Sequence, residues 1–221
     1  MTSGASDVEK GLFITFEGTE GTGKSTQCRL LAEYLTGKGY DCVLTREPGG
    51  SDGAEQIRDL VLKGAVTRWD AVTEMLLMYA ARRDHMVHKI IPALTAGKVV
   101  ICDRFADSTT AYQGYGYGDK GVPLQDIRRL YDIVVGAYRP DITFVMDLPV
   151  ETGLKRSLAR DANSNRYERM DLSFHENLRA AFLKIASEDK ERCRVIDATG
   201  DVAAVQSAIK AHIDDLLTRK G

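Results

Sequence analysis

The sequence predicts an α/β fold, a parallel sheet flanked by helices, on three observations. Short β-rich runs alternate with longer segments of helical period, the pattern of strands joined by crossover helices. The glycine-rich octet Gly18-Thr19-Glu20-Gly21-Thr22-Gly23-Lys24-Ser25 joins the first run to the first helical segment. At 221 residues the chain is long enough to bury one sizeable core, and it carries no internal repeat or low-complexity linker that would mark a second domain.

The elements follow in order. Leu12-Phe13-Ile14-Thr15-Phe16 predicts a strand over 12–17. The helix over 24–38 shows a stripe of Leu30, Leu31, Tyr34 and Leu35, and Gly37 with Gly39 is its stop signal. A strand over 41–46 leads through a Pro-Gly-Gly turn to a helix over 52–63, and a long helix occupies 70–95. Val99-Val100-Ile101-Cys102 marks the strand over 98–102. Gln113 to Gly121 holds Gly114, Gly116, Gly118 and Gly121 and reads as a flexible surface loop. A helix over 123–137, a strand over 141–147 and a helix over 150–160 come next. Asp161 to Met170 is almost free of aliphatic residues, so it is expected to stay outside the core as a loop or lid. A helix over 172–188, a strand over 193–197 and a helix over 202–218 complete the chain. The expected division is a disordered tail over 1–10 and one domain over 11–221, with a lid at about 156–170.

Composition excludes several classes. With 30 basic and 32 acidic residues the formal charge is −2, so no global field recruits nucleic acid or an anionic membrane. Cys28, Cys42, Cys102 and Cys193 form no C-x-x-C pair, which argues against a zinc site or a disulfide framework. The four histidines lack ligand spacing with Cys or a paired carboxylate. Met1 to Lys10 has no apolar core of a signal peptide, and no run of about 18 apolar residues occurs. The expected location is the cytoplasm.

The octet carries the chemistry. Its spelling is G-x-x-x-x-G-K-[ST] between a strand and a helix, a phosphate-binding loop: backbone N–H groups and the helix N-terminus face phosphate oxygens. Lys24 is expected to reach the outer phosphates of ATP, and Ser25 to offer its hydroxyl to Mg²⁺. Arg46-Glu47-Pro48-Gly49-Gly50 and Asp103-Arg104-Phe105 both follow strands, at the edge where such sheets bind ligands. There Asp103 is a candidate for Mg²⁺, while Arg46 and Arg104 are candidates for an anion. Arg82 and Arg83 lie on the long helix with Met78 nearby, and the lid segment offers Arg160, Arg166 and Arg169. Mobile arginines can stabilise charge on a transferring phosphoryl group. Two readings arise: a small-molecule kinase, or a nucleotide switch that hydrolyses its nucleotide. A GTPase switch needs an N-K-x-D tetrapeptide, which the chain lacks, and its D-x-x-G, Asp197 to Gly200, follows the last strand.

The phosphate loop, Thr45-Arg46-Glu47-Pro48-Gly49-Gly50 and Asp103-Arg104-Phe105-x-x-Ser108-Thr109-x-Ala111-Tyr112-Gln113 together resemble the thymidylate kinase family, bacterial type. The likeness continues through Tyr79-Ala80-Ala81-Arg82, Arg139-Pro140-Asp141, Gly153-Leu154-Lys155-Arg156, Arg166-Tyr167-Glu168 and Val195 to Thr199. It implies the P-loop nucleoside monophosphate kinase fold, with a five-stranded parallel sheet and a short lid. It also implies transfer of the ATP γ-phosphoryl group to dTMP for dTTP synthesis, by a Mg²⁺-dependent homodimer. By position, Gly18 to Ser25 and Thr26 would hold ATP, and Ser25 and Asp103 the metal. Arg46 and Arg104 would hold the dTMP phosphate, and Arg82 the thymine edge, with Pro48, Ser108, Thr109 and Gln113 around the nucleotide. Tyr112 would stand where a ribose 2′-hydroxyl would intrude, and Glu20 near the acceptor sugar and phosphate. Met78 occupies the place of a Phe that stacks on thymine in the family. No Arg lies among Thr19 to Thr22, so the catalytic cation is expected from the lid. Arg166 is the first choice, although Asn165 replaces its acidic neighbour.

Overall fold

The computed structural model describes residues 11–160 and 166–220, without the side chains of Arg160 and Lys220. The expected tail over 1–10 and the lid residues 161–165 lie outside the described residues. Five strands, β1 (Phe13–Glu17), β2 (Cys42–Arg46), β3 (Val99–Asp103), β4 (Ile142–Asp147) and β5 (Cys193–Asp197), form one sheet in the order β2-β3-β1-β4-β5. Every pairing is parallel.

Helices cover both faces. The principal ones are α1 (Lys24–Gly37), α2 (Asp52–Leu62), α3 (Ala71–His85), α4 (Ile91–Thr95), α5 (Ala106–Thr109), α6 (Leu124–Val134), α7 (Val150–Arg160), α8 (Leu172–Glu188) and α9 (Val202–Lys220). Strand alternation divides the core. Ile14 and Phe16 of β1 face Leu31 and Leu35 of α1 and Ile209 and Ile213 of α9. Phe13 faces the other way, toward Met75 and Tyr79 of α3. Burial on both faces explains why the strands read as apolar runs.

Three expectations need correction. The long helix over 70–95 is continuous but changes winding: a π-helical segment, Met86–Ile90, separates α3 from α4. The helix expected over 123–137 is shorter, and α6 ends at Val134. The loop expected over Gln113 to Gly121 is at the surface only in its second part: a π-helical segment, Thr110–Gly116, buries Gln113, Gly114 and Gly116, and exposure begins with Gly118–Lys120. Its glycines serve close packing: a Cβ on Gly116 would lie 2.7 Å from the Phe174 ring, and one on Gly114 2.9 Å from Leu124.

Candidate active site

The phosphate loop begins where β1 ends. Gly18, Gly21 and Gly23 adopt φ of 128°, 70° and 88°, which only glycine tolerates without strain. Gly21 is also pressed on α7, since a Cβ there would lie 2.0 Å from the carbonyl of Gly153. Lys24 curls back over the loop, donating to the Gly18 carbonyl at 3.1 Å, the Thr19 carbonyl at 2.6 Å and Thr22 Oγ1 at 3.2 Å. Burial, then Arg104, pushes its ammonium down to about 8.

Two strand ends face the loop. Ser25 Oγ donates to Asp103 at the end of β3. This pairs a hydroxyl and a carboxylate, hard oxygen donors of the kind Mg²⁺ takes. The next residue, Arg104, has φ of 69°, the one positive value at a non-glycine position among the described residues, and such a conformation costs about 1–3 kcal/mol unless its surroundings fix it. They do so here: Arg104 N donates to the Phe16 carbonyl at 2.8 Å. The buried carboxylate of Glu17 accepts from Phe105 N at 2.8 Å, Ser108 N at 3.2 Å and Ser108 Oγ at 2.6 Å. Burial, then the charge of Asp107, raises the Glu17 carboxyl to about 7. The Arg104 guanidinium donates to the Gly18 carbonyl at 2.9 Å, to Ser108 Oγ at 3.2 Å and to Glu20. Burial alone would raise the Glu20 carboxyl, but Arg104 and Lys24 hold it below its ordinary value. Tyr112 donates to the other oxygen of Glu20 at 2.8 Å.

These groups line a cleft of about 220 Å³. All ten residues expected at the acceptor line it: Glu20, Arg46, Pro48, Met78, Arg82, Arg104, Ser108, Thr109, Tyr112 and Gln113. From the phosphate loop, Gly21, Gly23, Lys24 and Ser25 border it as well, while Gly18, Thr19, Thr22 and Thr26 do not. At the buried end, Arg82 donates from Nε to Glu47 at 2.7 Å, to Thr109 Oγ1 at 3.1 Å and to the Phe105 carbonyl at 2.9 Å. Three of its five donors are thereby used. Glu47 also receives His85 Nδ1 at 3.0 Å. Arg46 is half exposed and pairs with Glu55 at 3.0 Å.

The sequence reading missed several lining groups. Arg58 of α2 donates to the Pro48 carbonyl at 2.6 Å and borders the cleft beside Arg46. Glu47 stood in the quoted pentapeptide, but its partners lie 35 and 38 residues away. Tyr167 and Glu168 come from the end of the lid segment.

Arg166 is the main correction. It is fully buried and ion-paired with Glu74 of α3, and it donates to the carbonyls of Val61 at 3.1 Å and Val66 at 2.9 Å. It does not line the cleft. Arg166 has thus entered the core through a paired charge, which sequence hydropathy cannot register. Arg169 donates to the Gly64 carbonyl at 2.6 Å, and the side chain of Arg160 lies outside the described residues.

Among the described residues no helix is long and apolar enough to cross a membrane, and no group of three or more His, Cys, Asp or Glu could hold a metal. The family model described as "Thymidylate kinase" matches residues 16–209. A thymidylate kinase of Caulobacter vibrioides is 54% identical over 90% of this chain and 94% of its own, and one of Ruegeria pomeroyi is 51% identical over 90% and 92%. A crystal structure of thymidylate kinase from Ehrlichia chaffeensis superposes with a TM-score of 0.75 at 39% identity, covering 93% of this chain and 99% of that one.

Proposed function

The chain belongs to the thymidylate kinase family, and we propose that the cleft is where it works: it phosphorylates dTMP to dTDP with the γ-phosphoryl group of ATP, in dTTP biosynthesis. The observation that carries this reading is the convergence of phosphate loop, Asp103-Arg104 turn and Arg82 on one cleft.

ATP binds along Gly18 to Thr26, with Lys24 leaving its loop carbonyls to meet the outer phosphates. Ser25 and Asp103 fit Mg²⁺ and would hold it, where it would neutralise phosphate charge. Arg104 anchors the dTMP phosphate, supported by Arg46 and by Arg58. Glu20 accepts from both Arg104 and Tyr112, so it keeps the anchor and the sugar-facing ring in register. Arg82 has donors left for the thymine carbonyl, and Met78 packs on the base. Phosphoryl transfer asks mainly for positioning and charge neutralisation, because two anions must approach in line; no covalent intermediate is needed.

The enzyme acts as a cytoplasmic homodimer in this reading. Val72, Leu76, Ala80 and Val87 form an exposed stripe along α3 and the π-helical segment after it. Arg83 on that face donates to the Val134 carbonyl at 3.3 Å, next to Ile133, which is 75% exposed. Such a stripe suits a self-complementary interface. ADP release that requires dTMP tests the function; equal ATP consumption with and without a nucleoside monophosphate would favour the nucleotide switch.

A further inference from the structure

Glu74 is fully buried on α3 and lies outside the cleft lining, yet its carboxylate gathers four donors. Oε1 accepts from Arg166 and from Tyr117 OH at 2.8 Å. Oε2 accepts from Tyr167 OH at 2.8 Å and from Gln113 Nε2 at 3.0 Å. Gln113 Nε2 also donates to Tyr167 OH at 3.1 Å. The NH₂ end of the Gln113 amide is therefore turned toward Glu74 and Tyr167. Its Oε1 is buried and has no protein partner, although Gln113 lines the cleft.

The orientation of that amide follows from chemistry. A carboxylate ion-paired with a guanidinium can only accept, and Tyr167 has spent its one hydrogen on Glu74, so its oxygen can only accept from Gln113. Turning the amide over would set Gln113 Oε1 against the Glu74 carboxylate and strand the NH₂ group. Such a conflict leaves buried hydrogen bonds unmade, which costs the full desolvation of the groups involved. We propose that Glu74 is a specificity-positioning residue: it locks the Gln113 amide with its carbonyl toward the acceptor base, so that the cleft takes a pyrimidine carrying N3–H and rejects one whose N3 is a bare acceptor. This rests on the kinase reading above. Arg82 supplies the complementary donor, so a thymine-type edge, carbonyl beside N–H, meets donor beside acceptor. A cytosine-type edge reverses both partners. Arg166, from the lid segment, serves the same device by holding the Glu74 charge in place.

The test is the ratio of kcat/KM for dTMP to that for dCMP, measured by ADP release in the parent and in Glu74→Gln. A glutamine at position 74 can donate as well as accept, so Gln113 gains a second allowed orientation. The ratio should fall by about tenfold or more, since a site built around hydrogen bonds owes its selectivity to groups that cannot turn over. Because Glu74→Gln leaves the Arg166 charge uncompensated, the double variant Glu74→Gln with Arg166→Gln, which removes both charges, is measured alongside. A folded variant in which both activities drop in parallel, leaving the ratio within twofold of the parent, would mean that Glu74 is only structural and would overturn the proposal. Absence of dTMP-dependent ADP release in the parent would instead overturn the kinase reading.

Discussion

The hydroxyl of Tyr112 donates to Glu20 across 92 residues of chain, at 2.8 Å, while the Arg104 guanidinium lies 5.2 Å above the Tyr112 ring. One side chain thus contacts both the phosphate loop and the acceptor anchor. Tyr112→Phe removes the hydrogen bond but keeps the ring, whereas Tyr112→Ala opens the space. If the ring excludes a 2′-hydroxyl, the preference for deoxy- over ribo-thymidine monophosphate should survive in Tyr112→Phe and shrink about tenfold or more in Tyr112→Ala. An unchanged ratio of kcat/KM values in Tyr112→Ala would remove the ring from that role.

Lys24 predicts a pH limb. Its ammonium, pushed down from 10.5 to about 8 by burial and then by Arg104, is the form that meets phosphates. kcat/KM for ATP should therefore bend downward as pH rises through about 8, and Lys24→Arg, which does not titrate there, should lack the bend. For stability the sign is opposite. The unfolded chain keeps the proton longer, so the cost of the buried ammonium is full below about 8 and fades toward 10.5. Lys24→Ala should lower kcat by about 10²–10⁴. A profile flat to pH 9.5 in the parent would contradict the assignment.

Arg104 separates the two substrates. Arg104→Ala removes the donor to Glu20 and the Gly18 carbonyl, and it should raise KM for dTMP far more than KM for ATP. Weakened ATP saturation with unaltered dTMP saturation would mean that the two sites are reversed.

Arg166 should behave as a stability residue. Removing one partner of a buried ion pair costs about 3–5 kcal/mol, so Arg166→Ala should lower Tm markedly, and its kcat per folded molecule should change little beside that of Lys24→Ala. A variant with parental Tm but a kcat loss of 10³ or more would restore Arg166 to the transferring phosphate.

Much of this was legible in the sequence because the signals are local. The strand runs, the phosphate loop and Asp103-Arg104-Phe105 each spell their structure within a few residues, and the cleft holds every residue expected at the acceptor. What stayed hidden depends on distant partners. Gly114 and Gly116 read as flexible because their packing against Leu124 and Phe174 is not written near them. Arg166 read as a mobile cation because Glu74 lies 92 residues away. Glu17, at a strand end, gave no sign that it caps the Arg104 turn.

The most direct test of the central claim is ADP release from ATP and Mg²⁺ with dTMP, dUMP, dCMP, dGMP or AMP as sole acceptor. The cleft predicts turnover with dTMP, and a kcat/KM for dCMP, dGMP and AMP lower by about 10² or more, the scale on which buried hydrogen-bonding groups reject a mismatched edge. Equal rates with dTMP and dCMP, or a rate independent of any acceptor, would contradict the account.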